Sequence, residues 1–229
     1  MLTAPQTLPS WQRVLAVVAH PDDESFGLGA LIDAFARAGA AVDVLCLTRG
    51  EASTLGAAPD LATVRAAELE AAGRALGARS TRLLDLPDGG LGDLDPEQVA
   101  ALVREAADDT RPEGLLVFDS TGISGHPDHV AATGAALVTA ERLDLPVLAW
   151  TLPEDLARQL VAETGVPFVG RSVGHFVVEV DRAAQHEAIA QHASQAVPGS
   201  VLWRRLELQG STETLCWLRG PGAAAGPAG

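Results

Sequence analysis

The chain has 229 residues, 47% of them apolar, with 30 acidic against 16 basic side chains and a formal net charge of -14. That length and apolar content suffice for one large domain with a buried core, and the acidic balance argues against nucleic acid or an anionic membrane as the main partner. No apolar run reaches the length of a membrane span. The amino-terminal MLTAPQTLPSWQR lacks the basic-then-apolar layout of a secretion signal, so the expectation is a soluble, cytoplasmic protein.

Cys46 and Cys216 each stand alone in apolar surroundings. Two such residues make neither a disulfide framework nor a thiolate metal site, and both read as buried structural cysteines. Any metal on this chain must use histidine and carboxylate.

In chain order, Arg13 to Ala19 forms a first strand, and its apolar run from Val14 to Val18 marks it as buried. It delivers His20-Pro21-Asp22-Asp23-Glu24-Ser25. So many polar groups at the mouth of a buried strand are costly unless something uses them; a helix N-cap accounts for one. The next helix carries Leu28, Leu31, Ile32 and Phe35 at helical spacing and stops at Gly39. A second strand (Ala41 to Leu47) ends in Thr48-Arg49-Gly50-Glu51, and a loop leads to a helix from Leu61 to Leu76, closed by Gly77. A third strand (Thr81 to Leu86) ends in Pro87-Asp88-Gly89-Gly90.

The following helix has Asp95 as N-cap, Pro96 at its first position and Gln98 as capping-box partner. A fourth strand (Leu115 to Phe118) opens into a loop and then His126-Pro127-Asp128-His129, from which a helix runs to about Arg142. Val147 to Leu152 is a fifth strand, with a short helix from Pro153. Beyond it, Val173 to Val180 reads as a strand, Arg182 to His192 as a helix and Thr214 to Leu218 as a last strand. Strand–helix alternation without a linker means a single α/β domain. The expectation is a Rossmann-like, doubly wound, mostly parallel sheet flanked by helices over residues 13–219, between a tail at 1–12 and a disordered tail at 220–229.

Polar clusters end four strands: His20-Asp22-Asp23, Glu51, Asp88 and His126-Asp128-His129. In a parallel sheet those ends share one edge, so the clusters can face one crevice. His126 and His129 are three apart at a helix start and can project to one face. A mononuclear catalytic zinc site needs three protein ligands and an open position for water, and two histidines with one carboxylate meet that need. Such a metal lowers the pKa of its water to about 7. With two adjacent aspartates, one can ligate while the other takes the proton; a spare histidine can be cationic and stabilise an oxyanion, oriented by Asp128.

The pair His20-Pro21-Asp22-Asp23-Glu24 and His126-Pro127-Asp128-His129 resembles the signatures of the LmbE-like/PIG-L zinc N-deacetylases, which act on N-acetylglucosamine conjugates. Thr48-Arg49-Gly50-Glu51, Arg65-Ala66-Ala67-Glu68 and His192-Ala193-Ser194-Gln195 add to the match, which runs from about residue 13 to 195. The resemblance implies that His20, Asp23 and His129 ligate one Zn2+, that Asp22 is the general base, and that His126 steadies the tetrahedral intermediate. It also implies that Glu51, Arg65 and Asp88 contact a small N-acylated amino-sugar conjugate, although Arg65 also suits an ordinary exposed helix position. Glu68 and the His192 to Gln195 segment read as structural, and Trp150 and Trp203 as core or pocket wall. The donor set accepts Fe2+ as well as Zn2+. The chain has no tyrosine; where some relatives place one before the second histidine motif, this loop offers Ser124.

Three other functions compete. Gly27-Leu28-Gly29 begins a dinucleotide fingerprint, but Ile32 stands where its third glycine belongs. A sugar-binding protein that lost turnover would show a defective base or ligand set, and none is defective here. An amidase of larger conjugates would use the same site chemistry, so the decision falls to contacts from Leu152 to Arg171 and Leu55 to Leu61. The apolar run Val166 to Val169 would suit a subunit contact in a homo-oligomer.

Overall fold

Strand β1 (Arg13–Val18) has both of its faces covered, as a near-continuous apolar run requires. Val14, Ala16 and Val18 enter one apolar core, while Leu15, Val17 and the following Ala19 enter the other; none is more than 2% exposed. The structure, a computed structural model, describes residues 7–56 and 59–221. The tails expected at either end therefore lie partly outside the described residues, as does part of the loop before Leu61.

After β1 come α1 (Asp23–Phe26), α2 (Gly29–Arg37), β2 (Ala41–Thr48), α3 (Leu61–Ala75) and β3 (Ser80–Leu86). A 3₁₀ turn at Leu91–Asp93 leads to α4 (Pro96–Thr110), β4 (Gly114–Phe118), α5 (Gly122–Gly125), α6 (Pro127–Leu143) and β5 (Val147–Thr151). The chain continues through α7 (Glu154–Thr164), β6 (Phe176–Glu179), α8 (Ala183–Gln191), α9 (Val201–Gln209) and β7 (Thr212–Arg219). The strands form one sheet in the order β3-β2-β1-β4-β5-β7-β6. All pairings from β3 to β5 are parallel; β7 runs antiparallel to both β5 and β6. Helices α2, α3, α7 and α8 supply the core on one face, and α4 and α6 the core on the other. The expected single-domain, doubly wound α/β sheet is the one observed.

β1 pairs with β2 on one side and β4 on the other. The chain builds outward from β1 to β3, then returns to add β4 and β5 on the opposite side. The carboxyl ends of β1 and β4 therefore flank the topological switch point, where open α/β sheets bind ligands. His20 follows β1, and His126 and His129 follow β4.

Several local features differ from the sequence expectation. The first helix divides at Gly27 and Leu28, where α1 passes so close to β4 that a Cβ on Gly27 would lie 2.4 Å from the Phe118 ring. Asp95 does cap α4, but through the N–H of Glu97 at 3.0 Å; an aspartate cap reaches either of two early amides, and no return bond from Gln98 is present among the described residues. Helix α9 was not expected at all. Its inward face carries Arg205 and Gln209 beside Leu206, which hides the apolar period, because both polar side chains bond the buried Glu213.

Candidate active site

Asp23 is held so that its two oxygens do different work. Oδ2 accepts the backbone N–H groups of Ala19 (3.2 Å) and His20 (2.9 Å), and Oδ1 faces Nε2 of His129 at 3.2 Å. The other ring nitrogen of His129, Nδ1, lies 3.2 Å from the carbonyl oxygen of Gly122. A proton on Nδ1 donated to that carbonyl leaves the Nε2 lone pair free. His20 directs Nε2 at Asp88 Oδ1 and Asp128 Oδ2, both at 3.1 Å, while its Nδ1 stands 3.6 Å from Asp23 Oδ2.

Among the described residues, two sets of potential metal ligands each have their donor atoms within 4.8 Å of one another: His20, Asp23 and His129, and His20, His126 and Asp128. Hydrogen bonding separates them. Asp128 is fully buried, and its oxygens already accept the N–H groups of Gly89 (2.7 Å) and Leu91 (3.0 Å) as well as His20. In the second set, Nδ1 of His126 accepts the backbone N–H of Asp128 at 3.2 Å, capping α6. The first set keeps an Asp23 oxygen and a His129 nitrogen directed at one another with no backbone partner competing for them.

These contacts correct one expectation and bear on a second. The Asp128 carboxylate orients His20, not His126, because it stands behind the β1 end with the 89–91 turn wrapped around it. Nδ1 of His126 accepts a backbone N–H, and burial together with the neighbouring His129 and His20 lowers its pKa; both favour a neutral ring with its proton on Nε2 over the cation expected. The His126 and His129 rings do share one face, stacked with centroids 4.8 Å apart.

The electrostatics follow the same arrangement. Burial opposes ionisation of Asp23, yet His129 and His20 together hold its carboxyl well below the usual carboxylate range. Asp22 differs: burial pushes its pKa up to about 6, against the pull of Arg65. Its backbone has φ 126°, an uncommon conformation for any residue but glycine. Two neighbours hold it there. Glu24 Oε2 accepts the Asp22 N–H at 2.9 Å; Arg65 pairs with Asp22 Oδ2 at 3.2 Å and donates to the carbonyls of Pro21 and Gly50. Arg65 is only 3% exposed, so its alternative as an ordinary surface helix residue does not hold.

Behind this layer, Glu24 Oε1 accepts from Ser25 Oγ and meets His192 Nε2, both at 2.6 Å. Glu68 accepts the N–H and hydroxyl of Ser194, which makes it the structural anchor expected. Gln195 does more than the structural role expected of its segment: it bonds Ser53 and lines a polar cavity of about 330 Å³ with Asp22, Arg65 and Asp88. Glu51 is exposed and outside that lining; its Oε1 accepts the N–H of Asp88 at 3.1 Å, so it positions a wall residue. A second cavity, of about 300 Å³, shares His20, Asp22 and His126 with the first, and Trp150 is in its wall. Val166 and Phe168, from the apolar run considered for a subunit contact, also line it.

The switch-point position and the paired histidine motifs define a Rossmann-like α/β protein with a histidine–carboxylate centre. The chain belongs to the PIG-L family, whose profile, described as GlcNAc-PI de-N-acetylase, matches residues 15–140. It is 36% identical over 175 residues to a 1D-myo-inositol 2-acetamido-2-deoxy-alpha-D-glucopyranoside deacetylase of Kineococcus radiotolerans, covering 61% of this chain and 48% of that protein. The match thus spans about half the length of that relative. It is 30% identical to a "Probable N-acetyl-alpha-D-glucosaminyl L-malate deacetylase 2" of Bacillus anthracis, covering 90% and 92% of the two chains. Among solved structures, the zinc-inhibited form of teicoplanin deacetylase Orf2 superposes with a TM-score of 0.69 at 25% identity, covering 92% of this chain and all of the other. No helix among the described residues is long and apolar enough to cross a membrane.

Proposed function

We propose that the chain is a zinc-dependent N-deacetylase that hydrolyses the amide of an N-acetylglucosamine-type conjugate. The observation that carries this reading is the adjacency of Asp22, a carboxylate with its pKa raised to about 6, to the donor set of His20, Asp23 and His129. The donor chemistry fits a catalytic zinc: two imidazoles, one ionised carboxylate and hydrogen-bonding partners behind them. His20 through Nδ1, Asp23 through Oδ1 and His129 through Nε2 would hold the ion, and Fe2+ suits the same donors. When bound, the ion supplies Lewis acidity and makes water more acidic.

The chain's own residues supply the proton transfers. Asp22 takes the proton of the attacking water, its raised pKa placing it close to the working range of a general base. Nε2–H of His126 donates to the oxygen on which negative charge develops, a stabilisation that acts in the transition state. Water's oxygen joins the carbonyl carbon, the C–N bond breaks, and the amine leaves with the proton. Arg65 keeps Asp22 aimed, and Asp88, Ser53 and Gln195 offer hydrogen bonds to a polyol amine. The relatives' named substrates support an acetylated amino sugar as the conjugate. Two free buried cysteines are consistent with a reducing, cytoplasmic setting.

The test is acetate release by the zinc-loaded protein from a panel of N-acetylglucosaminides with inositol, malate and lipid aglycones. Release from at least one member, abolished by chelator, is expected. The Asp22→Asn variant is expected to retain metal and lose roughly 10²- to 10⁴-fold in rate. Wild-type rates in that variant would remove Asp22 from the role of base.

A further inference from the structure

We propose that the site accepts an acyl group longer than acetyl, a straight hydrocarbon chain of medium length lying in the second cavity. The inference rests on the N-deacylase reading above and deepens it. The two cavities meet at His20, Asp22 and His126, which line both. An amide whose carbon sits at these shared residues must send its two halves in the two directions. One direction offers Ser53, Arg65, Asp88 and Gln195; the other offers Phe26, Phe118, Ile123, Trp150, Phe168 and Leu202. Hydroxyls of a polyol find several partners on the polar side, whereas the other side offers Ser124 among mostly apolar walls, and burying hydroxyls without partners is costly. The acyl half therefore turns to the apolar side.

The size of that side exceeds what acetyl needs. An acetyl methyl displaces about one water, whose share of the liquid is roughly 30 Å³, against a cavity of about 300 Å³ of which an ion held by His20, Asp23 and His129 would take only a part. Water in the remainder would meet mostly apolar walls, an unfavourable site for it. Phe168 and Val166, from the segment between Leu152 and Arg171, add two further apolar side chains to this wall. Arg205 is the charged side chain of the lining that lies outside the base and metal-donor set, and it is engaged. It is 3% exposed, donates to Glu213 (3.1 Å), Gln209 (3.0 Å) and the carbonyl of Phe26, and lies 4.9 Å from the Trp150 ring centroid. Its pairing favours a hydrocarbon end on the acyl chain over a carboxylate.

In the reaction, water's oxygen adds to the acyl carbon, the C–N bond breaks and the amine takes the proton, releasing the amino sugar and a medium-chain acid. The experiment compares N-acetyl-, N-butanoyl-, N-hexanoyl-, N-octanoyl- and N-succinylglucosamine with the zinc-loaded protein. In parallel, calorimetry follows the binding of free acetate and hexanoate to loaded and metal-free protein. We expect kcat/KM to rise about fourfold per methylene up to hexanoyl, the increment that burying one methylene supplies. Hexanoate should bind more tightly than acetate in both forms of the protein, and Leu202→Trp, which fills the cavity, should bring the hexanoyl-to-acetyl ratio down towards one.

Hydrolysis of the acetyl member with rates falling as the chain lengthens would overturn the proposal and leave the deacetylase reading standing. A succinyl preference would overturn it too, by showing Arg205 to be free for an anion. If no member is hydrolysed, the deacylase reading fails, and hexanoate binding alone decides whether the cavity takes an acyl chain.

Discussion

Glu24 Oε1 and His192 Nε2 lie 2.6 Å apart, both side chains wholly buried, although 168 residues separate them in sequence. The other oxygen of Glu24 accepts the N–H of Asp22. A residue near the end of the chain thereby sets the backbone of the proposed base, held at φ 126° where strain of about 1–3 kcal/mol is normal.

Breaking that pair should cost both stability and rate. Glu24→Ala leaves a buried imidazole and a strained amide without their acceptor, and a loss of about 3–5 kcal/mol is expected in denaturant unfolding. Among molecules still folded, kcat should fall with KM little changed, because the base is misplaced while the polar cavity remains. Glu24→Gln, which keeps an acceptor for Asp22, should recover part of both. Burial opposes a charge on His192, but Glu24 and Asp22 raise its pKa overall. The folded protein then holds a proton that the unfolded chain releases near its ordinary value of about 6.5. This contribution is complete below that pH and disappears as pH rises through the higher folded value. Stability curves of the wild type and His192→Gln should therefore converge in alkali; parallel curves would show that His192 carries no such proton.

Arg65 should set the acid limb of activity. The base works ionised, so rate should rise with pH through about 6, the value to which burial pushes Asp22, or lower once a cation stands beside it. Arg65 pulls that pKa down, and Arg65→Met removes the pull. The limb should then move to higher pH, with a lower plateau as Asp22 loses its partner. An unmoved limb would mean that another group titrates.

The two histidines of the second motif should separate by metal content. His129→Ala removes a donor and should lose both metal and activity. His126→Ala should keep the metal and lose most of the rate, along with about 1 kcal/mol of stability from the missing cap of α6. Equal metal loss in both variants would mean that the two histidines are wrongly assigned. Metal analysis beside single-turnover rates reads the difference.

The sheet and the convergence of its strand ends were legible because β1 and β4 are unbroken apolar runs that end in clusters of polar residues. Arg65 illustrates a different limit. Its position on an alanine-rich helix carries no sign that the chain folds Gly50 and Pro21 over it, since those contacts arise between separate loops. The tautomer of His126 was hidden for a related reason: it depends on a cap formed only once Pro127 starts α6. Helix α9 escaped notice because Arg205 and Gln209 occupy inward positions that the amphipathic pattern reserves for apolar residues.

The family match ends at residue 140, yet the amide of Asp22 answers to His192 through Glu24, and the carbonyl of Phe26 to Gln185 and Arg205. A chain cut after α6 would retain every donor of the proposed metal centre, with Glu24 and Arg65 beside the base, and would lose His192 behind Glu24, and Gln185 and Arg205 behind Phe26. The matched segment thus carries the donors and the residues proposed for proton transfer, and the later segment supplies the buried supports behind them. Drift in substrate preference and decay of turnover would both be expected to begin there, in the last third of the sequence, with the histidine motifs still intact.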